Sequence, residues 1–370
     1  MRLLMIAFRD ITDECSGITR KVLSQYKEFG GKFDTYLIGR KKNNIVILHK
    51  DEKKVISCHR LNRYFKMLKV AKAIVKNKEI DFLYFRRVDV EPATLSALKS
   101  FKKSGVKKIL WEIPTYPYDD ETTSFSRKIK KMIDKVFRGN LKKYVSRIVT
   151  FSNEKNIFGI ETINTGNGID IDEIRKRKVS DHGDEINLVA AAVVRDWHGY
   201  DRLIEGLSNY KGDRKISFHL AGDGPSLLIY KELVKKYNLE DKVHFYGLVN
   251  KDKLDEIYDI ADIAVESLGW HRSKVKFGTS IKTREYLAKG LPIIASSVMD
   301  MFPDGFEYAY YAKIDDSPIN IDEVIKFYDE IYKENTKEEL NEKIRKIAYE
   351  KCSMEAMLKP VIDFYTDEDV

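Results

Sequence analysis

The sequence predicts an α/β chain built on two Rossmann-like, doubly wound sheets, and three observations carry that prediction. Short apolar runs alternate with helical patterns through the first half, as strand–helix–strand units do. In the second half, Ile263–Val265, a polar loop, a helix from about Thr279 to Ala288 and Pro292–Ala295 spell out one such unit. Gly290 and Pro292 supply its helix-stop signals. At 370 residues the chain is long enough for two domains, each burying its own core.

In the first half, Leu3–Phe8 is an apolar strand, and the polar turn Asp10–Gly17 leads into a helix to about Phe29. Lys32–Ile38 and Asn44–Leu48 are short strands. Asn62–Lys76 carries Phe65, Leu68, Val70, Ala71 and Ile74 at roughly helical spacing. Strand Phe82–Phe85, helix Pro92–Lys102 and strand Lys108–Glu112 follow, then the proline- and tyrosine-rich loop Trp111–Glu121. Ser126–Arg147 reads as a basic amphipathic helix. Its stripe of Ile129, Met132, Ile133, Val136 and Phe137 is expected to pack on the sheet, with Asp134 as the main opposing acid. The flanking cations, among them Lys128, Lys130, Lys142 and Lys143, either stay solvated or touch an anionic membrane surface. Strand Ile148–Phe151, a short helix and the polar linker 176–185 close the domain, so domains are expected at 1–175 and 176–352, with a tail helix over 353–370.

The second domain opens with strand Ile186–Val194, the loop Arg195–Gly199 and a helix from Tyr200. Strand Ile216–Ala221 ends in the turn Gly222–Pro225, where proline at a first helical turn leaves no N–H unpaired. Val243–Val249 and Tyr258–Glu266 precede the unit around the helix at 279–288, and helical patterns fill 321–332, 337–351 and 354–365. Lys282 and Glu285, three apart, share one helix face at the carboxyl edge of the sheet, which suits a ligand carrying phosphate and ribose hydroxyls.

Composition narrows the class. Hydrophobic residues at 43% and charged residues at 34% describe a soluble globular chain. No apolar run approaches a bilayer span, and the N-terminus is charged too soon for a signal peptide. Three scattered cysteines without metal-ligand spacing suit a reduced, cytoplasmic protein. The net charge of +8 points to an anionic partner, but no aromatic ladder interleaves the basic stretch, which argues against nucleic acid.

Ser280, Lys282, Glu285, Tyr286, Leu287, Ala288, Gly290 and Pro292 stand in the order S-x-K-x-x-E-Y-L-A-x-G-x-P. That stretch, preceded by Asn167–Asp170, Gly222–Pro225 and Val243–Val249, resembles the retaining GT-B glycosyltransferases that build bacterial polysaccharides (glycosyl transferases group 1, family 4-like). The resemblance implies two Rossmann-like domains facing across a cleft, with a C-terminal helix crossing back. It implies transfer of a sugar from a nucleoside-diphosphate donor, UDP- foremost, to a glycan or lipid-linked acceptor in capsule, exopolysaccharide or cell-surface glycan synthesis. No cofactor and no metal are expected, and the enzyme would work in the cytoplasm or peripherally on the inner face of the plasma membrane.

The resemblance also implies roles. Glu285 would contact the ribose, backbone at Gly247 and Leu248 the base, and Gly222 and Gly224 would flank the donor cleft. The places where many relatives carry an Arg and a Lys for the diphosphate hold Val193 and His198, and Phe277 replaces a second Glu. Arg195, Arg272, Lys274, Lys276 and Lys282 are the candidate replacement cations, with Ser280 as a phosphate donor or helix cap. Gly17 lies in the loop expected near the acceptor, where Glu112 and Tyr116 would offer hydrogen bonds to sugar hydroxyls. Glu112 and His198 are the candidate catalytic groups. The departures leave open a non-catalytic GT-B subunit that binds a glycan or supports a partner, or a sugar-nucleotide epimerase on the same fold.

Overall fold

The computed structural model describes residues 1–13, 16–87, 89–118, 125–179, 183–273 and 280–367. The chain divides into two units, Met1–Gly168 with Met354–Val370, and Ile169–Ser353. Residues 169–175, left with the first domain by the sequence, belong to the second unit because Ile171 and Ile174 pack in its core and Arg175 pairs with Asp255 and Asp259.

Among the described residues, nine strands form the first unit's sheet. They are β1 (Arg2–Asp10), β2 (Asp34–Lys41), β3 (Asn44–His49), β4 (Glu52–Ile56), β5 (Phe82–Arg86), β6 (Lys108–Ile113), β7 (Arg147–Thr150), β8 (Asn156–Ile157) and β9 (Ile160–Asn164). The order is β4-β3-β2-β1-β5-β6-β7-β9-β8. The stretch from β2 to β9 is parallel, and it reads as apolar runs because helices cover both faces. Helix α1 (Gly17–Gly30) and the tail helix Met354–Thr366 cover one face, through Val22, Phe29, Leu358, Val361 and Tyr365. Helices α2 (Arg63–Lys78) and α3 (Pro92–Lys103) cover the other, through Met67, Leu68, Ala97 and Phe101.

Three expectations for this unit are corrected. The short helix after Phe151 is instead the β8–β9 hairpin, whose two-residue turn, Phe158 (φ +56°) and Gly159 (φ +78°), has the twist that hairpins favour. The basic helix α4 spans Phe125–Phe137 and tightens into a 3₁₀ turn over Arg138–Lys143. Its apolar stripe does not pack on the sheet: Ile129, Met132, Ile133 and Val136 are exposed, while Phe137 packs against the core. The helix is docked instead by Asp134, which is fully buried and accepts from Val90 N (2.7 Å) and Tyr118 Oη (2.7 Å).

The second unit's sheet has the order β12-β11-β10-β13-β14-β15, all parallel. Its strands are β10 (Ile186–Ala191), β11 (Ile216–Ala221), β12 (Val243–Gly247), β13 (Ile263–Val265), β14 (Ile293–Ala295) and β15 (Ala309–Tyr311). Helices α5 (Tyr200–Asn209), α6 (Leu227–Lys236) and α9 (Ile321–Lys333) build one core layer. Helices α7 (Lys251–Asp259), α8 (Ile281–Ala288) and α10 (Lys337–Cys352) build the other.

Candidate functional site

Strand order in the second unit reverses between β10 and β13, and open α/β sheets bind ligands beyond the carboxyl ends of their strands at such a reversal. The loops after β10 and β13 meet there. Leu268 N donates to His198 O at 2.7 Å, and a Cβ on Gly199 (φ +62°) would lie 2.3 Å from Gly269 N, so glycine is required. The 192–194 backbone that follows β10 is clasped in the same way. A Cβ on Gly222 would fall 1.9 Å from Ala192 O, and one on Gly224 2.2 Å from Val194 O. These glycines admit the neighbouring loop of their own chain. Gly247 (φ +65°) faces open space, and Leu248 beside it is 80% exposed.

Glu266, the residue directly after β13, sits at the centre of the site. It is buried, and its Oε1 accepts from Ser280 Oγ (2.7 Å) and Thr283 Oγ1 (3.2 Å), while Ser267 N donates to Oε2. Lys282 Nζ lies 3.6 Å from Oε1 and donates to Ser267 Oγ (3.1 Å) and Tyr200 Oη (3.4 Å). Burial pushes the Glu266 carboxyl up, but the Lys282 charge and these hydrogen bonds outweigh it and hold the pKa below the ordinary value. Burial pushes the Lys282 ammonium down, with Glu266 opposing. The ammonium expected to stand open for a diphosphate is therefore already turned inward onto a carboxylate. Ser280 caps α8, accepting from Thr283 N, and Glu285 is half-buried one turn further along the helix.

His198 closes the turn before α5: its Nδ1 accepts from Arg195 N (2.9 Å), and its ring stacks on Tyr200. Burial, followed by the Lys282 charge, pushes its pKa down to about 4. At neutral pH it is an uncharged ring with its proton on Nε2, able to donate a hydrogen bond to a ligand. Arg195 is exposed, 5.9 Å from the Trp197 ring. Arg272 is tied to both oxygens of Asp201 (2.9 and 2.8 Å) and to Asp316 (2.7 Å), which takes it out of the set of open cations. Lys274, Lys276 and Phe277 lie outside the described residues.

In the first unit, Glu112 is fully buried at the end of β6. Arg86 Nη1 lies 2.7 Å from its Oε1, and Tyr84 Oη (2.6 Å) and Gln25 Nε2 (3.1 Å) donate to Oε2. Burial raises its pKa, but Arg86 and Lys21 bring it below the ordinary value. A carboxylate so engaged anchors an ion pair at the edge of the sheet, with both oxygens already partnered. Tyr116 packs edge-on to Phe158 (5.7 Å), and Gly17 opens α1 with nothing within 4 Å of a would-be Cβ.

Glu266, Ser267, Tyr200 and Arg86 escaped the sequence reading. An acid directly after an apolar strand at the carboxyl edge is the sequence signal that marks Glu266.

Residues 170–351 match the family described as glycosyl transferases group 1. Among solved structures, the chain is similar to a glycosyltransferase from Rickettsia africae (16% identity, TM-score 0.61, covering 98% of this chain and 97% of that one). It is similar to Anabaena HepE in complex with UDP (11%, 0.61, 98% and 99%) and to sucrose-phosphate synthase from Thermosynechococcus elongatus (13%, 0.61, 99% and 98%). No curated protein matches the sequence. The chain therefore has the GT-B fold, and residues 170–351, nearly all of its second unit, match the glycosyl transferases group 1 model.

Proposed function

We propose that the chain moves a hexose from a nucleoside-diphosphate donor, UDP- foremost, to a hydroxyl of a glycan or lipid-linked acceptor, with retention of configuration and no resident metal. The observation that carries this reading is the convergence of Lys282, His198, Ser280 and the α8 N-terminus at the reversal point of the second sheet. In the transfer, the bond from the anomeric carbon to the diphosphate breaks, a bond to the acceptor oxygen forms, and the acceptor hydroxyl's proton passes to the departing diphosphate oxygen. Charge grows on the departing diphosphate, and fixed donors aimed there lower the barrier most. Arg195, the Nε2–H of His198 and the backbone N–H groups that open α8 are those donors in this reading, with the Lys282 charge behind them and Ser280 holding the helix N-terminus, Glu285 accepting from the ribose, and Gly247 and Leu248 beside the base. Anabaena HepE, solved with UDP and with UDP-glucose, supports the choice of donor class.

Titration calorimetry with UDP, GDP and CDP tests the reading. UDP is expected to bind, and Glu285→Ala and Lys282→Ala each to weaken it by roughly 1.5–3 kcal/mol, as for hydrogen bonds to charged groups. Lys282→Ala leaves Glu266 buried and uncompensated, so Lys282→Met/Glu266→Gln serves as the variant with no stranded charge. Unchanged affinity in the Glu285 and double variants sinks the residue assignment. Absence of binding by any nucleotide favours a non-catalytic subunit.

A further inference from the structure

Helix α4 is amphipathic the wrong way round for a helix covering a sheet. Its acid, Asp134, is fully buried, held by Val90 N and Tyr118 Oη, while its apolar stripe faces outward. Ile129, Met132, Ile133 and Val136 fall at positions i, i+3, i+4 and i+7, one continuous face, and are 47%, 68%, 37% and 70% exposed. Single exposed apolar residues such as Leu61 and Phe65 occur elsewhere on the unit, but four side by side on one helix face mark a surface meant to be covered.

The charges beside the stripe select what covers it. Lys128 and Lys130 on the helix, and Lys142 and Lys143 in the turn after it, are all exposed. A second copy of the chain would bring the same lysines against them, in a protein already at +8. A nucleic acid would satisfy the lysines but strand the apolar face. An anionic lipid surface meets both requirements, taking the stripe at the acyl boundary and the lysines among the head groups. We infer that α4 is a docking face for an anionic phospholipid bilayer, on which the helix lies in the plane of the interface. Among the described residues no helix is long and apolar enough to cross a membrane, so this attachment is to the surface only.

Flotation of the full chain with vesicles tests the inference without donor or acceptor, so its outcome is separate from that of the transferase reading. The chain is expected to float with equimolar phosphatidylglycerol and phosphatidylcholine, and much less with phosphatidylcholine alone or in high salt. Met132→Asp/Val136→Asp is expected to lower binding at least about tenfold, since it removes apolar burial from the interface. Lys128→Glu and Lys130→Glu should each cost about fivefold or more. All these side chains are exposed, so the thermal midpoint should not move. Equal flotation with neutral vesicles, or flotation indifferent to these substitutions, overturns the inference. So does a solution dimer that Met132→Asp dissociates in a chain that binds no vesicles, which assigns the face to a second copy.

Discussion

A histidine that accepts a backbone N–H at Nδ1 must, when neutral, carry its proton on Nε2, and His198 is kept neutral by burial and by the neighbouring Lys282. Its pKa of about 4 in the fold lies below the ordinary 6.5, so between these values the unfolded chain binds more protons than the native one. Stability contributed by the neutral ring is thus present above pH 6.5 and is lost as pH falls towards 4. From pH 7 to 4.5 this amounts to about 2 kcal/mol. Urea unfolding at both pH values should show His198→Asn losing less stability than the wild type by that margin; identical losses would show that the ring is not held neutral by the fold. The buried carboxylates follow a shared logic. Glu112 ends β6 beside Arg86, and Glu266 follows β13 beside Lys282, so each unit keeps an acid–cation pair at the carboxyl edge of its sheet. Such pairs add little net stability over apolar residues, but removing one partner strands the other.

At the scale of elements, the loops of the second sheet are fitted backbone to backbone. Gly222→Ala would drive a Cβ to 1.9 Å from Ala192 O, and Gly224→Ala to 2.2 Å from Val194 O; neither obstacle is a flexible side chain. Gly247→Ala meets no atom and carries only the strain of φ +65°, about 1–2 kcal/mol. Thermal or urea unfolding should therefore place Gly222→Ala and Gly224→Ala roughly 4 kcal/mol or more below wild type, well beyond Gly247→Ala; near-equal costs would mean that the loops yield easily. The same elements show what the sequence could disclose. Buried parallel strands such as β1 and β10 are apolar runs and announce themselves, and the helix stop at Gly290 is a local signal. Strand β4 is a charged, exposed edge with no apolar signature, and the β8–β9 turn places a phenylalanine at positive φ, where glycine would have been the cue. At the site, Ser280 and Lys282 are legible as a motif. That Lys282 is held by Glu266 is not, because the partner lies on another element. The outward turn of α4 depends likewise on Val90, 44 residues away from Asp134.

The whole molecule is organised by a chain that leaves its first unit at Gly168 and rejoins it at Met354. The returning helix is part of that unit's core. Met354, Leu358, Val361, Ile362 and Tyr365 pack with Leu3, Met5, Phe29 and Phe82, the Tyr365 ring stacks on Phe82 (4.8 Å), and its hydroxyl donates to Leu83 O at 2.8 Å. Burying five such side chains contributes about 7–15 kcal/mol before any entropy cost. That rivals the roughly 5–15 kcal/mol by which a whole domain is stable, so the first unit should not survive without its last helix. The second unit, complete between Ile169 and Ser353, has no such dependence. A chain ending at Ser353 should lose hydrogen-exchange protection in β1 and β5, which lie under the tail helix, and keep it in β10 and β11. A synthetic peptide of residues 354–370 added in trans should restore protection to β1 and β5 alone. If β1 and β5 stay protected in the shortened chain, the tail helix is a cover over a finished core rather than a part of it.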